Sequence, residues 1–319
     1  MKILANDGIS KSGENLLKSA GFTLVEHKVS QEQLINFINE NQIEVLLVRS
    51  ATQAKKDLID ACPGLRIIGR GGVGMDNIDV AYAREKGIKV INTPGASSRS
   101  VAEMVFAHFF SLARYLHDAN RMMPLEGDTQ FNALKKSYAK AVELQGKTLG
   151  VIGFGGIGKE VIKIGISLGM KVKVLTRNPK TEQIDLEFFD GQKVNFTITS
   201  MQDWAEFLKD TDFISINTPK TEGYLIDQPQ FELMKDGVYI VNTARGGTIN
   251  EMTLLEYLDN GKVAAAALDV FENEPQPQLS VLMNPQLSLS PHLGGNTLDA
   301  QEKIGTELAQ QIILIQKTL

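Results

Sequence analysis

The sequence is poor in cysteine and in long apolar runs. Cys62 is its only cysteine, so no intrachain disulfide can form, and a reducing compartment such as the cytoplasm is expected. No run reaches the roughly 18 apolar residues that suggest a membrane-spanning helix. The apolar start at residues 1–7 is too short for a signal peptide and is more typical of a first strand. A net charge of only −5 gives no support for nucleic acid as the main partner.

What the sequence does contain is a regular alternation of strand-like and helix-like segments. With 319 residues, 43% of them hydrophobic and 22% charged, the chain is long enough for two globular domains. The alternation predicts an α/β fold in which parallel sheets carry helices on both faces. Before residue 92 the predicted strands are Lys2–Ala5, Thr23–Glu26, Val45–Val48, Arg66–Gly69 and Lys89–Ile91, and the predicted helices are Lys11–Ala20, Gln31–Asn41, Lys55–Ala61 and Asp79–Lys86.

Turn-forming residues at 92–97 end this first stretch, and a long apolar helix is predicted from Ser98 to Arg121. Its apolar side chains cover nearly the whole circumference, so we expect the helix to be buried on all sides. Two interpretations follow. The helix lies between two domains, or it lies between the two subunits of a homodimer.

A second alternating unit starts at Leu149 and ends with a predicted helix from Thr297 to Lys317. An irregular piece interrupts it, where Asp190-Gly191 is a hairpin turn signal, and we predict a two-stranded insertion there. The predicted strands of the insertion are Ile184–Phe189 and Lys193–Thr199. Those of the main sheet are Leu149–Ile152, Lys171–Leu175, Phe213–Asn217, Val238–Asn242, Ala264–Leu268 and Leu287–Ser290.

Three glycines in a G-x-G-x-x-G spacing follow the first strand of this second unit. Gly153 permits a tight turn, Gly155 lets the backbone approach a pyrophosphate, and Gly158 lets the next helix pack closely on the strand. The spacing alone is often just a loop, but a strand before it and a helix after it favour a dinucleotide site.

Charged side chains follow the later strands of the same unit. Ligands bind beyond the carboxyl ends of the strands in such sheets, so Arg245, Asp269, Glu274 and His292 are candidates for redox chemistry on a carbonyl or hydroxyl group. Histidine suits proton transfer near neutrality, a carboxylate would raise its pKa, and arginine would bind a substrate carboxylate or polarise the carbonyl. A lone arginine after a strand is more often part of a surface ion pair, and the other histidines are weaker candidates.

At these residues the chain resembles the D-isomer-specific 2-hydroxyacid dehydrogenase family. The resemblance covers nearly the whole chain and keeps the family's order of motifs. It implies a Rossmann cofactor domain, residues 98–291, inserted into a flavodoxin-like substrate domain, residues 1–97 plus 292–319. Both would be doubly wound parallel-sheet domains. The motifs are the glycine turn at 153–158, Asn242-Thr243-Ala244-Arg245-Gly246-Gly247, residues 267–275, and Pro291-His292-Leu293-Gly294-Gly295-Asn296-Thr297.

The resemblance also implies roles for individual residues. Arg245, Glu274 and His292 would form the catalytic triad, and Asp269 would accept a hydrogen bond from the nicotinamide carboxamide. No metal is expected, and the partners expected are a small 2-hydroxy or 2-keto acid and a second copy of the chain. The implied cofactor-binding residues are Gly153, Gly155, Gly156, Ile157, Gly158, Thr176, Arg177, Thr218, Thr243, Ala244, Asp269, Gly294 and Gly295.

Within the family, the N-terminal motifs resemble the D-3-phosphoglycerate dehydrogenases in a short form that lacks a regulatory domain. That resemblance implies that Arg49 and Arg70 bind a substrate phosphate, and that the Val73 and Gly74 amides bind the carboxylate. The alternative is that both arginines merely pair with acids at the sheet edge. The competing functions are a glyoxylate or hydroxypyruvate reductase and, from another class, a nucleotide-sensing protein like the C-terminal-binding-protein corepressors.

The second strand end departs from the family pattern. Thr176 stands where an acidic residue would accept a hydrogen bond from the adenosine ribose, and Arg177 follows it. The cofactor that we expect is therefore NAD or NADP. We expect NADP(H) to be accepted at least as well as NAD(H). Glu182 or Asp185 of the predicted insertion is an alternative source of the missing acid.

Overall fold

The computed structural model describes residues 1–317, which form two compact units: Met1–Ser100 together with the chain from Gly295 onward, and Val101–Gly294. The first unit begins with β1 Lys2–Ala5, α1 Lys11–Ser19, β2 Thr23–Val25, α2 Gln31–Glu40, β3 Val45–Val48, α3 Lys56–Ala61, β4 Ile67–Arg70, α4 Val80–Glu85 and β5 Lys89–Asn92. The chain then passes through α5 Ser98–Ala113, α6 Leu116–Glu126, α7 Phe131–Ser137, β6 Thr148–Ile152, α8 Gly156–Ser167, β7 Lys171–Leu175, β8 Thr181–Glu187, β9 Lys193–Thr199, α9 Trp204–Leu208, β10 Phe213–Ile216, α10 Gln228–Leu233, β11 Val238–Asn242, α11 Glu251–Asp259, β12 Val263–Leu268, α12 Leu279–Leu282 and β13 Leu287–Leu289. It returns to the first unit in α13 Leu298–Gln316.

The first unit is a parallel sheet in the order β2-β1-β3-β4-β5, which is the flavodoxin-like order. Alternate side chains of each strand enter separate cores on the two faces. Leu4, Leu46 and Ile68 pack with α2, α3 and α4 on one face, whereas Ile3, Leu47 and Ile67 pack with α1 and α13 on the other. The α/β class predicted from the strand and helix alternation is therefore confirmed.

Helices α1 and α13 cross closely because both carry glycine at the crossing. A Cβ on Gly13 would lie 2.5 Å from the carbonyl oxygen of Gly305, so no larger residue fits there without moving a helix. Both helices begin with a side-chain cap: the Ser10 hydroxyl accepts from the Gly13 amide, and the Thr297 hydroxyl accepts from the Ala300 amide. The C-terminal helix is thus fixed on the sheet formed by the first 92 residues.

The second unit is a parallel sheet in the order β13-β12-β11-β10-β6-β7. Beyond β7, the pairing is reduced to a single bridge between Leu175 and Met201. The predicted insertion is confirmed as the antiparallel hairpin β8–β9, which lies in the chain between β7 and Met201. Its inner face buries Ile184 and Leu186, and Ile184 joins the core that contains Val161 and Val174. The hairpin thus covers the sheet on the connection where a crossover helix is usual in βαβ units.

The helix predicted from Ser98 to Arg121 is not continuous. It breaks between α5 and α6, where Tyr115 has a φ of 56° and its ring stacks on Tyr138 at 5.7 Å. Within the single chain, α5 is buried on one side only. Val105, Phe109 and Leu112 are fully buried, whereas Phe110 on the opposite side of α5 is 41% exposed. Among the described residues, no helix combines the length and apolar character needed to cross a membrane.

Candidate active site

The glycine turn between β6 and α8 has the geometry that its spacing predicts. Gly153 has a φ of 102°, and a Cβ there would lie 2.6 Å from the Asn217 carbonyl oxygen. A Cβ on Gly158 would lie 2.1 Å from the Gly153 carbonyl oxygen, so this glycine allows α8 to approach the strand. By contrast, nothing lies within 4 Å of the Cβ position of Gly155, which leaves open space at the N-terminus of α8, where Gly156 and Ile157 form the first turn.

A cavity of about 1010 Å³ adjoins this turn at the carboxyl ends of β6, β7 and β10. Thr218 lines it, and the Thr218 hydroxyl is buried without a hydrogen-bond partner among the described residues. The Thr243 hydroxyl, at the end of β11, is likewise buried without a partner there, and Ala244 beside it is 5% exposed. Buried polar groups normally have partners, so two such hydroxyls at neighbouring strand ends fit a bound polar ligand. The residues present therefore fit a dinucleotide, which would be held at the open turn and these strand ends.

The end of β7 carries no carboxylate. The Thr176 hydroxyl donates to the Asn178 carbonyl at 3.0 Å and lies 2.8 Å from the Ser200 hydroxyl. The cavity lining here includes Thr176, Arg177, Lys180 and Lys220 and no acidic residue. The two acids that the sequence left open have other partners: Glu182 pairs with Lys159 and Lys180, and Asp185 accepts from Asn195.

His292 and Glu274 form a hydrogen-bonded pair beyond β12 and β13. The Nδ1 atom of His292 lies 2.9 Å from Oε2 of Glu274, and Oε1 of Glu274 accepts from the Phe271 amide at 2.9 Å. His292 has a φ of 55°, a conformation that non-glycine residues rarely adopt, and its backbone is fixed by the bond from its amide to the Asp269 carbonyl at 2.8 Å. The side chain of His292 is 48% exposed, so the ring is partly open to solvent while Glu274 holds its Nδ1 atom.

Each member of this pair shifts the pKa of the other. The hydrogen bond to Glu274 raises the pKa of His292 above its ordinary value, against the opposing effect of burial and of the Arg245 charge. Burial alone would raise the pKa of Glu274, but the hydrogen bonds from His292 and the Phe271 amide bring it below the usual range. The protonated imidazole is therefore stabilised, as a proton donor to a developing alkoxide requires.

Arg245 lies just beyond β11, on the same edge of the sheet. Its guanidinium donates to the Ala244 carbonyl at 2.7 Å. Its backbone carbonyl accepts from Asn242 at 3.1 Å and from Thr248 at 2.7 Å, which fixes the turn that carries it. Its positive charge lowers the pKa of both His292 and Glu274, although hydrogen bonding and burial affect these two groups more strongly.

Asp269, at the end of β12, is 1% exposed and accepts three hydrogen bonds. One oxygen accepts from the Ser290 hydroxyl at 2.6 Å and from the Leu293 amide at 2.7 Å, and the other accepts from the Gly294 amide at 2.8 Å. A Cβ on Gly294 would lie 3.1 Å from the same carboxylate, so glycine permits this close approach. The carboxylate thus fixes the backbone immediately after His292.

Sequence reasoning missed Glu251 at the first turn of α11. It is 3% exposed, and burial followed by the charges of Glu272 and Glu274 raises its pKa to about 7. Its Oε1 accepts from the Glu272 amide at 2.7 Å, and Glu272 in turn accepts from the Glu251 amide at 2.9 Å. These reciprocal bonds hold the loop that carries Glu274. The two glutamates are far apart in sequence, so no local pattern indicates their contact.

The remaining predicted residues lie in the first unit. Arg49 follows β3 and Arg70 ends β4, and the register pairs Val48 with Arg70, so the two arginines share one edge of the sheet. Gly72 has no room for a Cβ because the Arg70 guanidinium lies over it. The Val73 carbonyl accepts from Asn92 at 2.9 Å, which holds the loop that includes Gly74. The Cβ position of Gly295 lies 3.4 Å from Ser97.

The chain is similar to one protein-family model and, over nearly its whole length, to individual enzymes. A family model described as "D-isomer specific 2-hydroxyacid dehydrogenase, NAD binding domain" matches residues 106–294. Hydroxypyruvate reductase of Thermotoga maritima is 40% identical over 317 residues, covering 98% of this chain and 97% of that protein. D-3-phosphoglycerate dehydrogenase of Methanocaldococcus jannaschii is 39% identical over 315 residues, covering 98% of this chain but only 57% of that protein.

Solved structures share the fold over almost the whole chain. A glyoxylate reductase from Paecilomyes thermophila matches with a TM-score of 0.80 and 28% identity, covering 98% of this chain and 93% of that one. The TT0316 protein from Thermus thermophilus matches with a TM-score of 0.84 and 25% identity, covering 100% and 97%.

Proposed function

Because the chain belongs to the D-isomer-specific 2-hydroxyacid dehydrogenases, oxidoreductases that act on a CH–OH group with NAD(P), we propose that it interconverts 3-phospho-D-glycerate and 3-phosphohydroxypyruvate. This is the entry step of serine biosynthesis. The observation that carries the choice of substrate is the pair of arginines, Arg49 and Arg70, at the carboxyl ends of adjacent strands of the first unit. Two guanidinium groups suit a dianionic phosphate better than they suit an uncharged hydroxyl.

His292, Glu274 and Arg245 carry the proposed chemistry. The nicotinamide, when bound, supplies or accepts the hydride. His292 donates a proton to the substrate oxygen in reduction and accepts one in oxidation. Glu274 keeps the imidazole oriented through Nδ1 and stabilises its charge. Arg245 binds the substrate carboxylate or polarises the carbonyl.

Hydroxypyruvate reductase is the second candidate, and it differs in substrate by the phosphate alone. It is favoured by the relative from T. maritima, which this chain matches over 97% of its length. The discriminating measurement is kcat/KM for 3-phosphohydroxypyruvate against hydroxypyruvate. We expect the phosphorylated acid to be preferred, and we expect Arg49→Gln to lower its kcat/KM by about tenfold to a hundredfold with little effect on hydroxypyruvate.

The matched control is Arg66→Gln, because Arg66 precedes β4 and pairs with Glu44 at 3.7 Å. It should leave both values near wild type. If the wild type prefers hydroxypyruvate, and Arg49→Gln changes kcat/KM for both acids equally, the second candidate is established instead.

The cofactor cavity supports use of NADP(H) at least as well as NAD(H). Arg177, Lys180 and Lys220 line it, whereas Glu182 is engaged by two lysines. A charge-assisted bond to a 2′-phosphate contributes about 1.5–3 kcal/mol, or roughly tenfold to a hundredfold in affinity. The test is kcat/KM for both cofactors in wild type and in Thr176→Asp, which should shift the ratio toward NAD. A wild type that prefers NAD a hundredfold would refute this inference.

The proposed assembly is a homodimer through α5, α6 and α7. These helices expose a group of large apolar side chains, including Phe110 at 41%, Leu116 at 56%, Leu125 at 73% and Phe131 at 57%. Light scattering at micromolar concentration should give twice the chain mass, and Phe110→Glu with Leu125→Glu should reduce it to one chain. A monomeric wild type contradicts the assembly.

The buried free thiol of Cys62 supports a reducing, cytoplasmic location.

A further inference from the structure

A buried histidine that the proposed chemistry does not use is connected to the site by hydrogen bonds. His108, on α5, is 6% exposed, and its two ring nitrogens lie 3.1 Å from the hydroxyls of Ser288 and Ser290. Ser290 in turn donates to Asp269 at 2.6 Å. A continuous chain of contacts therefore runs from α5, past the end of β13, to the carboxylate at the end of β12.

Counting donors fixes the direction of every bond in this chain. A carboxylate only accepts, so the single hydroxyl hydrogen of Ser290 goes to Asp269. The Ser290 oxygen can then only accept from His108, which means that Nε2 carries the hydrogen. Burial lowers the pKa of His108 and so favours the neutral ring, in which Nδ1 accepts from the Ser288 hydroxyl. In this arrangement each group has one role, and Ser290 accepts from Nε2 of His108 whichever way the Ser288 hydroxyl points.

The Asp269 carboxylate has one hydrogen-bond acceptor position that these contacts leave unoccupied. A carboxylate offers about four acceptor positions. Ser290 and the Leu293 amide occupy those on Oδ1, and the Gly294 amide occupies one on Oδ2. The remaining position on Oδ2 is available to a ligand, and its direction depends on how Ser290 holds the other oxygen.

We propose that His108 is a positioning residue for the hydride-transfer site. By donating to Ser290 it orients the hydroxyl that holds Asp269, and so it aims the free acceptor position of Asp269 at the nicotinamide carboxamide. The inference rests on the proposed function, and on the contact with the nicotinamide carboxamide that the family resemblance implies for Asp269. It assigns no contact between His108 and the cofactor or substrate.

The test uses His108→Leu, which removes both hydrogen-bonding atoms, and His108→Gln, which keeps a donor and an acceptor. Ser290→Ala removes the hydrogen bond between Ser290 and Asp269. Most of the dinucleotide is held elsewhere, so His108→Leu should lower kcat by about tenfold while the Kd for NADPH, from the fluorescence of the reduced nicotinamide, changes less than about threefold. His108→Gln should recover most of the loss in kcat. The double variant His108→Leu/Ser290→Ala should be no slower than the slower single variant, because both substitutions interrupt the same series of hydrogen bonds.

The proposal is overturned if His108→Leu keeps the wild-type kcat, or if the losses of the two single variants multiply in the double variant. A lowered melting temperature with unchanged kcat would show a purely structural role. If the wild-type protein turns over none of the 2-keto acids, the proposed function fails, and the network is then tested by the emission of bound NADPH alone. His108→Leu should shift that emission toward the free cofactor and His108→Gln should restore it. Identical emission in all variants overturns the proposal.

Discussion

Replacing Glu251 with glutamine should make the second unit more stable at alkaline pH. Glu251 is 3% exposed, one of its oxygens is buried without a partner among the described residues, and its pKa is raised from 4.5 to about 7. The unfolded chain releases this proton near pH 4.5, whereas the folded chain keeps it until about pH 7. The folded state therefore binds more protons in that window, and its stability falls as the pH rises through it and is constant above.

The size of this effect follows from the pKa difference. A difference of one in pKa corresponds to about 1.36 kcal/mol. The folded state therefore loses stability on the order of 2–3 kcal/mol between pH 5 and pH 8.5. Glutamine does not ionise, and its carbonyl oxygen can still accept from the Glu272 amide. The free energy of unfolding of Glu251→Gln relative to wild type should therefore rise by that amount over the same range.

The assay is urea unfolding at both pH values, followed by tryptophan fluorescence. Trp204 is the only tryptophan and lies in the same unit as Glu251, so the signal reports on the relevant unit. Glu256→Gln, on the exposed side of α11, is the matched control, and its difference from wild type should not change with pH. A Glu251→Gln variant that is destabilised equally at both pH values would refute the buried-acid reasoning.

The remaining predictions concern the ion pair and the thiol. His292→Ala should lower kcat by about a hundredfold or more, and near-wild-type turnover would rule out its role in proton transfer. Glu274→Gln should move the loss of reduction activity to lower pH, because the protonated imidazole loses the partner that raises its pKa, and an unchanged profile would contradict the pair. Burial raises the pKa of Cys62 to about 11, so a thiol reagent should react with it only after unfolding, and rapid labelling of the native protein would contradict this burial.

The sequence predicted the sheets and the glycine turn because their signals are local. Mostly apolar runs of three to six residues separated by helical segments specify the parallel strands. The glycine spacing at 153, 155 and 158 requires the space that the structure shows there. The charged residues after β11, β12 and β13 were identified for a related reason. The carboxyl ends of parallel strands meet at one edge, so position in sequence gives position in space.

Other features depend on contacts that have no local signal. The break at Tyr115 has no glycine or proline to mark it, and the left-handed residue there stacks on Tyr138, more than 20 residues later. Glu251 and Glu272 are brought together by α11 and the loop after β12, and His108 reaches Ser290 from a helix 182 positions away. Each of these depends on tertiary packing, which residue type and periodicity do not encode.

The most direct test of the central claim is oxidation of the two stereoisomers of 3-phosphoglycerate and of glycerate by the purified chain, followed by absorbance of the reduced nicotinamide. The account predicts turnover of the D-acids and none of the L-acids, with the phosphorylated D-acid preferred and the signal lost in His292→Ala. Binding of NAD(P)H without turnover of either isomer, or of the corresponding keto acids, would contradict it and would favour a nucleotide-sensing protein.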